Sequence, residues 1–289
     1  MFMRYGKSKL REGVTRITDG IVNEFLIEGR DKAVLFDTGL DLFNIKDYVA
    51  KLTKKELMVV NSHFHPDHAN GNHHFDKVYI GAADLPTFTT ADVYFKLVDD
   101  IVKATFARYP KTKKLQGLID KLIMTKKGNT EYVPLNDGDE IDLGDKKLIV
   151  KAFPGHTPGS ITLLDPALKF IYAGDASDMD IWMFTNPDCS LHEYAETGRR
   201  YYKEVEALGY TKYRGSHVPI THSITFMRDY ADWVDRLTPE KAFLKFNTPG
   251  GRSKLCIAFA PSAKHLLYTS IYWAHQCDRA LTPSGETEE

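Results

Sequence analysis

Three histidines and an aspartate fall within the six-residue run His63-Phe64-His65-Pro66-Asp67-His68. Imidazole nitrogens and carboxylate oxygens, with no thiolate among them, suit zinc first and manganese or iron next. A divalent ion held this way brings a bound water toward ionisation near neutral pH, so the chemistry on offer is hydrolytic. Pro66 fixes its own φ and keeps His65 extended, which stiffens the turn before any ion arrives. The run follows Leu57-Met58-Val59-Val60, an apolar strand whose end can direct several side chains to one point.

Three single residues further along have the same setting, each after a strand-like segment. His156 lies in Pro154-Gly155-His156-Thr157-Pro158-Gly159-Ser160, a rigid irregular turn suited to presenting one side chain. Asp175 lies in Tyr172-Ala173-Gly174-Asp175-Ala176, and His217 in Gly215-Ser216-His217-Val218-Pro219. The remaining histidines lack ligand spacing. Gly71-Asn72 is expected to turn His73 and His74 away, and His192, His222, His265 and His275 stand apart. Tyr194 and Trp182 lie between Asp175 and His217, with packing as their ordinary role.

The elements that must position these residues can be read from periodicity. Strands are expected at 21–27 and 33–36, the second ending in Asp37-Thr38-Gly39, with a helix over 45–52 and a strand at 57–60. Strand, helix, strand in that order indicates an α/β chain with its sites at the carboxyl ends of the strands. Residues 84–131 interrupt the rhythm. Tyr94, Leu97, Val98, Ile101 and Val102 share one helical face, and Leu115, Leu118, Ile119 and Leu122 share another. A helical insertion follows, too short to make its own core, which packs on the body or walls a substrate. Strands return at 147–152, 160–164 and 169–173, and helices at about 190–208 and 222–237. The tail from Thr282 is polar. One domain over residues 1–289 is the simplest division.

The run His63 to His68, the turn around His156, the strand end at Asp175 and the late His217 together resemble the successive metal motifs of the metallo-β-lactamase superfamily. Asp37-Thr38-Gly39 resembles that family's aspartate behind the metal loop. The resemblance implies a four-layer αβ/βα sandwich with the site at one edge. It also implies two divalent metal ions, one held by His63, His65 and His156, the other by Asp67, His68 and His217, with Asp175 between them. Two such ions carry about four positive charges; two carboxylates and a bridging hydroxide offset three, and the charge left attracts a developing oxyanion. Asp67 is then a ligand that could also carry a proton to the leaving group.

The expected reaction is hydrolysis of a thioester, ester or lactone of a small molecule, in the manner of glyoxalase II-like or lactonase-like enzymes. Asp178 stands where lactonase relatives carry a tyrosine. Four alternatives stay open: β-lactam hydrolysis, phosphodiester cleavage, oxidation at a single iron held by His63, His156 and Asp175, resembling the persulfide dioxygenases, and a non-catalytic member kept for binding or assembly. The complete ligand set argues against the last. The bulk numbers set limits. Basic and acidic residues number 38 and 39, for a net charge of -1, which gives no reason to expect nucleic acid or a membrane surface as partner. Neither a signal peptide nor a spanning segment is evident, so the expected address is cytoplasmic. Cys189, Cys256 and Cys277 are scattered and odd in number, which argues against a disulfide framework. A homodimer is compatible with everything above.

Overall fold

The computed structural model describes residues 5–20, 22–90, 128–183, 186, 188–238, 244–247, 253–259 and 270–276. Residues 88–90 and, apart from Ile271, the last three segments are described by backbone alone. Of the helical insertion, residues 91–127 lie outside the described residues.

Seven strands form the first sheet in chain order. They are β1 (Gly6–Arg11), β2 (Val14–Thr18), β3 (Asn23–Glu28), β4 (Lys32–Phe36), β5 (Glu56–Asn61), β6 (Lys77–Gly81) and β7 (Glu131–Leu135). The first four pair antiparallel; from β4 to β7 the pairing is parallel. The chain between β6 and β7 is therefore a crossover, and this is where the insertion falls. A second sheet holds β8 (Glu140–Asp142), β9 (Lys147–Ala152), β10 (Ile161–Asp165), β11 (Phe170–Gly174), β13 (Lys212–Gly215) and β14 (His222–Ser223).

Alternation along the strands sets the layers, because successive side chains point to opposite faces. Phe25, Ile27, Val34 and Phe36 turn inward from the first sheet to meet Leu148, Val150, Leu163 and Tyr172 of the second. Phe25 and Tyr172 mark the contact, with ring centroids 5.3 Å apart. Their neighbours Leu26, Ala33 and Leu35 face outward against Ile45 and Val49 of helix α1 (Ile45–Val49). That helix is shorter than the periodicity suggests, because the N–H groups of Leu52 and Thr53 both turn back to the Val49 carbonyl.

Two short helices follow in the first half, α2 (Pro66–Ala69) and α3 (Leu85–Thr90). The outer face of the second sheet, with Leu164, Ile171 and Ala173, is covered by α4 (Leu191–Ala207) and α5 (Thr225–Val234). Ser190 and Glu193 close a reciprocal capping box at the start of α4, which satisfies donors the helix cannot pair itself. Tyr194, Tyr201, Met227, Tyr230 and Trp233 fill the layer beneath. The order is helix, sheet, sheet, helix, as the sandwich requires.

A third sheet joins β12 (Asp180–Trp182) to β17 (Ser270–Gln276), then β16 (Ser253–Phe259) and β15 (Leu244–Asn247). β12 and β17 run parallel, with Trp182 opposite Tyr272. Among the described residues, no helix is long and apolar enough to cross a membrane.

Candidate metal centre

The carboxyl ends of β4, β5 and β11, and the turns after β9 and β13, open on one edge of the sandwich. β5 leads directly into Ser62 and His63. His65 has φ -62 and ψ 145, the extended shape that Pro66 enforces, and Asp67 and His68 follow in the single turn of α2. The sheet thus delivers His63 and His65 from a loop, and Asp67 and His68 from a helix start. β11 ends at Gly174, whose φ of +55 suits a residue without a Cβ; a Cβ there would meet the Ser62 side chain at 2.4 Å. This approach brings Asp175 against the histidine run.

All seven sequence-derived candidates converge. His156 Nε2 stands 3.1 Å from His63 Nε2 and 2.8 Å from His65 Nδ1. On the other side, His68 Nε2 is 3.6 Å from Asp67 Oδ2, and His217 Nε2 is 3.5 Å from the same oxygen. Asp175 Oδ2 lies between the two groups, 3.0 Å from His217, 3.4 Å from His68 and 3.6 Å from His156. His63, His65, His68, His156 and Asp175 are buried, while Asp67 and His217 are about 30% and 28% exposed and face the opening.

The ring nitrogens turned away from this centre have fixed partners. His68 Nδ1 meets Asp37 Oδ2 at 2.8 Å, and His156 Nδ1 meets the Trp182 carbonyl at 2.8 Å. Against a carboxylate and a carbonyl, each of these nitrogens must donate. The opposite nitrogen of each neutral ring therefore carries a bare lone pair aimed inward. His68 Nε2 and Asp175 Oδ1 are buried with no hydrogen-bond partner. Lone pairs crowded at 2.8–3.6 Å repel unless a cation sits among them, so these residues fit metal ions.

The two halves differ electrostatically. Burial holds His63 and His65 well below the usual imidazole range and pushes His156 down to about 4, so this half presents neutral nitrogens. Burial also acts on His68 and His217, yet the Asp175 and Asp67 carboxylates outweigh it, raising His68 and taking His217 up to about 10. In the reverse direction, burial would raise Asp175, but His217 and His68 hold its carboxyl well below the ordinary value. The carboxylates thus make that half the one that draws positive charge most strongly.

Supports around the site come from residues without ligand spacing. Asp37 accepts from the Ser62 N–H at 2.7 Å and its hydroxyl at 2.8 Å, besides His68. Asp178 accepts from the His217 N–H at 2.8 Å. Asp84, buried and pushed up to about 7 mainly by that burial, accepts from the Gly159 N–H, the Thr157 hydroxyl and the Phe64 backbone. It therefore fastens the His63 loop to the His156 turn. A Cβ on Gly159 would meet the Asp84 nitrogen at 2.3 Å. Ser62, Asp84 and the Trp182 carbonyl were not indicated by the sequence.

The other candidates fall elsewhere. Tyr194 is core, its hydroxyl donating to the Ala176 carbonyl. Trp182 is 43% exposed, and it touches the centre through its backbone. His222 packs on Tyr213 and Phe226, and His192 pairs with Asp235 at the surface. His73 and His74 point away from the centre, toward Asp41. Cys189 is a half-buried free thiol; His265, Cys277 and the side chains of Cys256 and His275 lie outside the described residues.

Comparison with known proteins adds to this geometry. The family model of the metallo-beta-lactamase superfamily matches residues 17–243. A human protein named acyl-coenzyme A thioesterase MBLAC2 is 30% identical over 171 residues, 53% of this chain and 57% of the relative. The bovine protein of the same name is 29% identical over the same shares. The chain thus spans little more than half the length of the curated relatives it matches. Among solved structures, a metallo-beta-lactamase from Pontibacter korlensis superposes with a TM-score of 0.55 at 14% identity, over 81% of this chain and all of that one. A metallo-beta-lactamase family protein from Thermus thermophilus gives 0.52 at 17% identity, over 80% and 77%. At these identities the likeness is one of fold.

Proposed function

The chain belongs to the metallo-β-lactamase superfamily, and from that premise we propose that it is a dinuclear metal-dependent hydrolase of small-molecule acyl thioesters. The observation that carries the reading is the placement of Asp175 Oδ2 within 3.0–3.6 Å of histidines from both halves of the centre. His63, His65 and His156 would hold one ion, Asp67, His68 and His217 the other, and Asp175 would serve both. The ligand types suit zinc, with manganese or iron as alternatives. When bound, such ions make water nucleophilic near neutral pH and polarise a carbonyl oxygen. The intact second half, with Asp67, His68 and His217 together, favours two ions over a single-iron oxidoreductase.

The protein's own residues do the rest. Asp37 and the Trp182 carbonyl fix the tautomers of His68 and His156, so nitrogen lone pairs face the centre. Asp67 faces the opening and is placed to hold a proton where a leaving group departs. A thiolate needs little such help, since a thiol ionises at about 8.5; an alkoxide needs much more. The names of the curated relatives support a thioester as substrate.

Two measurements test this. Protein loaded with zinc, manganese or iron in turn is expected to hydrolyse acyl thioesters with kcat/KM above that for lactones, β-lactams or phosphodiesters. Hydrolysis of one of those others in preference would overturn the substrate class. Asp67→Asn is expected to slow an oxygen ester by about tenfold more than the matching thioester, within the usual range for general acid help. Equal losses on both would leave Asp67 a ligand only, and full activity with two bound metals would remove both roles.

A further inference from the structure

A second cluster of ligand-type side chains lies outside the centre, where the loop after β4 meets the 3-10 turn Asn70–His74 that follows α2. Asp41, His73 and His74 each offer one atom there, all within 4.8 Å of one another. Asp41 Oδ2 is 2.9 Å from His74 Nε2 and 3.8 Å from His73 Nε2. Ligand atoms about 2 Å from a shared tetrahedral ion stand about 3.3 Å apart, and the two distances bracket that value. The rings of His73 and His74 are tilted by 39° with centroids 3.9 Å apart, so both present Nε2 to the same side.

The hydrogen bonds around the cluster leave these atoms facing one another. Asp41 Oδ1 accepts from the Ile45 N–H at 3.1 Å, which turns Oδ2 toward the histidines. His73 Nδ1 meets the Asn70 carbonyl at 2.8 Å and must donate to it. The neutral ring then presents a bare Nε2 lone pair toward the carboxylate across 3.8 Å, a gap that a proton or a cation would fill, while His74 Nε2 already hydrogen-bonds the same Asp41 Oδ2 at 2.9 Å. The Asp41 side chain is 3% exposed, those of His73 and His74 20% and 21%. The carboxylate is thus fixed and buried while the imidazoles remain reachable from solvent.

We propose that Asp41, His73 and His74 form a third metal site, distinct from the hydrolytic centre, that takes a borderline divalent transition ion such as zinc with water completing its coordination. Two imidazoles and one carboxylate suit such an ion rather than calcium or magnesium. Its bound form would pin the 37–44 loop to the 3-10 turn. That junction already carries a hydrogen bond from the Thr38 hydroxyl to Asn72.

Equilibrium dialysis of the zinc-loaded enzyme against buffered zinc, read by metal analysis, tests the site. Wild type is expected to bind three zinc ions per chain, two tightly and one more weakly. The double variant His73→Gln/His74→Gln is expected to keep two, with the third weakened by at least about tenfold, and to retain hydrolysis. Its two positions are partly exposed, and Asp41, whose φ is +56, is left intact. The single variant His74→Gln guards against a folding failure of the double, and is expected to weaken the third ion alone. Wild type saturating at two ions overturns the proposal, as does a third ion that binds the variants as tightly as wild type.

Discussion

Asp175→Ala is expected to lower kcat/KM by about three orders of magnitude and to reduce bound metal below two ions per chain. One oxygen of this carboxylate lies within 3.6 Å of His68, His156 and His217, so the substitution removes a contact shared by both halves. The electrostatic help a metal gives a transition state is worth several kcal/mol, and each 1.36 kcal/mol is about tenfold in rate. Several kcal/mol correspond to about three or four such steps; three allow for one ion still being held by the three-histidine half. That half keeps its neutral nitrogens, because burial rather than Asp175 sets their state. Metal analysis alongside kinetics separates the outcomes. Asp175→Asn preserves shape while removing charge and is expected to behave like the alanine variant. Wild-type rates and two bound ions in either variant would refute the assignment of Asp175 to both halves.

What the sequence disclosed about the centre follows from how the ligands are carried. His63, His65, Asp67 and His68 are contiguous, so type and spacing alone marked them. His156, Asp175 and His217 are single residues, and glycine- and proline-rich turns at strand ends were their only signal. Of the supports, Asp37 was marked by its Asp-Thr-Gly strand end, but two others gave no signal: Asp84 reaches the His156 turn across 75 positions, and Trp182 contributes a backbone carbonyl that any residue could supply. Ser62 adjoins the run, but a serine is not among the ligand types that marked it.

The same division runs through the fold. Strands β3, β4, β5, β9, β10 and β11 bury one or both faces, and apolar content disclosed them. β1 is almost wholly exposed along Gly6–Arg11, so no alternation marked it. β16 is a different case. Leu255 to Phe259 is a continuous apolar run, and such a run suits a buried strand or a buried helix segment equally by periodicity. Because β12 leaves the centre and pairs with β17, this third sheet is tied to the residue whose carbonyl orients His156. The family model ends at residue 243, before β15 to β17 begin.

Asp37 offers the sharper test of how the centre is tuned, because it acts only through other residues. Its carboxylate is buried and receives three donors, the Ser62 N–H, the Ser62 hydroxyl and His68 Nδ1. Its φ of +67 suits aspartate or asparagine and strains alanine, so Asp37→Asn is the cleaner variant. The amide oxygen can still accept from the Ser62 N–H, but the amide nitrogen then faces His68 Nδ1 and the Ser62 hydroxyl. Two donors cannot share that contact. The ring is forced to accept at Nδ1 and to carry its proton on Nε2, the nitrogen turned toward the centre. A protonated Nε2 has no lone pair to offer, so the second ion loses a ligand while the fold keeps its shape. Metal affinity at the second site is expected to fall by about 10- to 100-fold, the usual cost of losing an outer partner. Activity should fall in parallel at limiting metal and recover in part as metal is raised. A purely structural role predicts instead a lower Tm with unchanged metal affinity, and that result would sink the tautomer argument while leaving the ligand set intact.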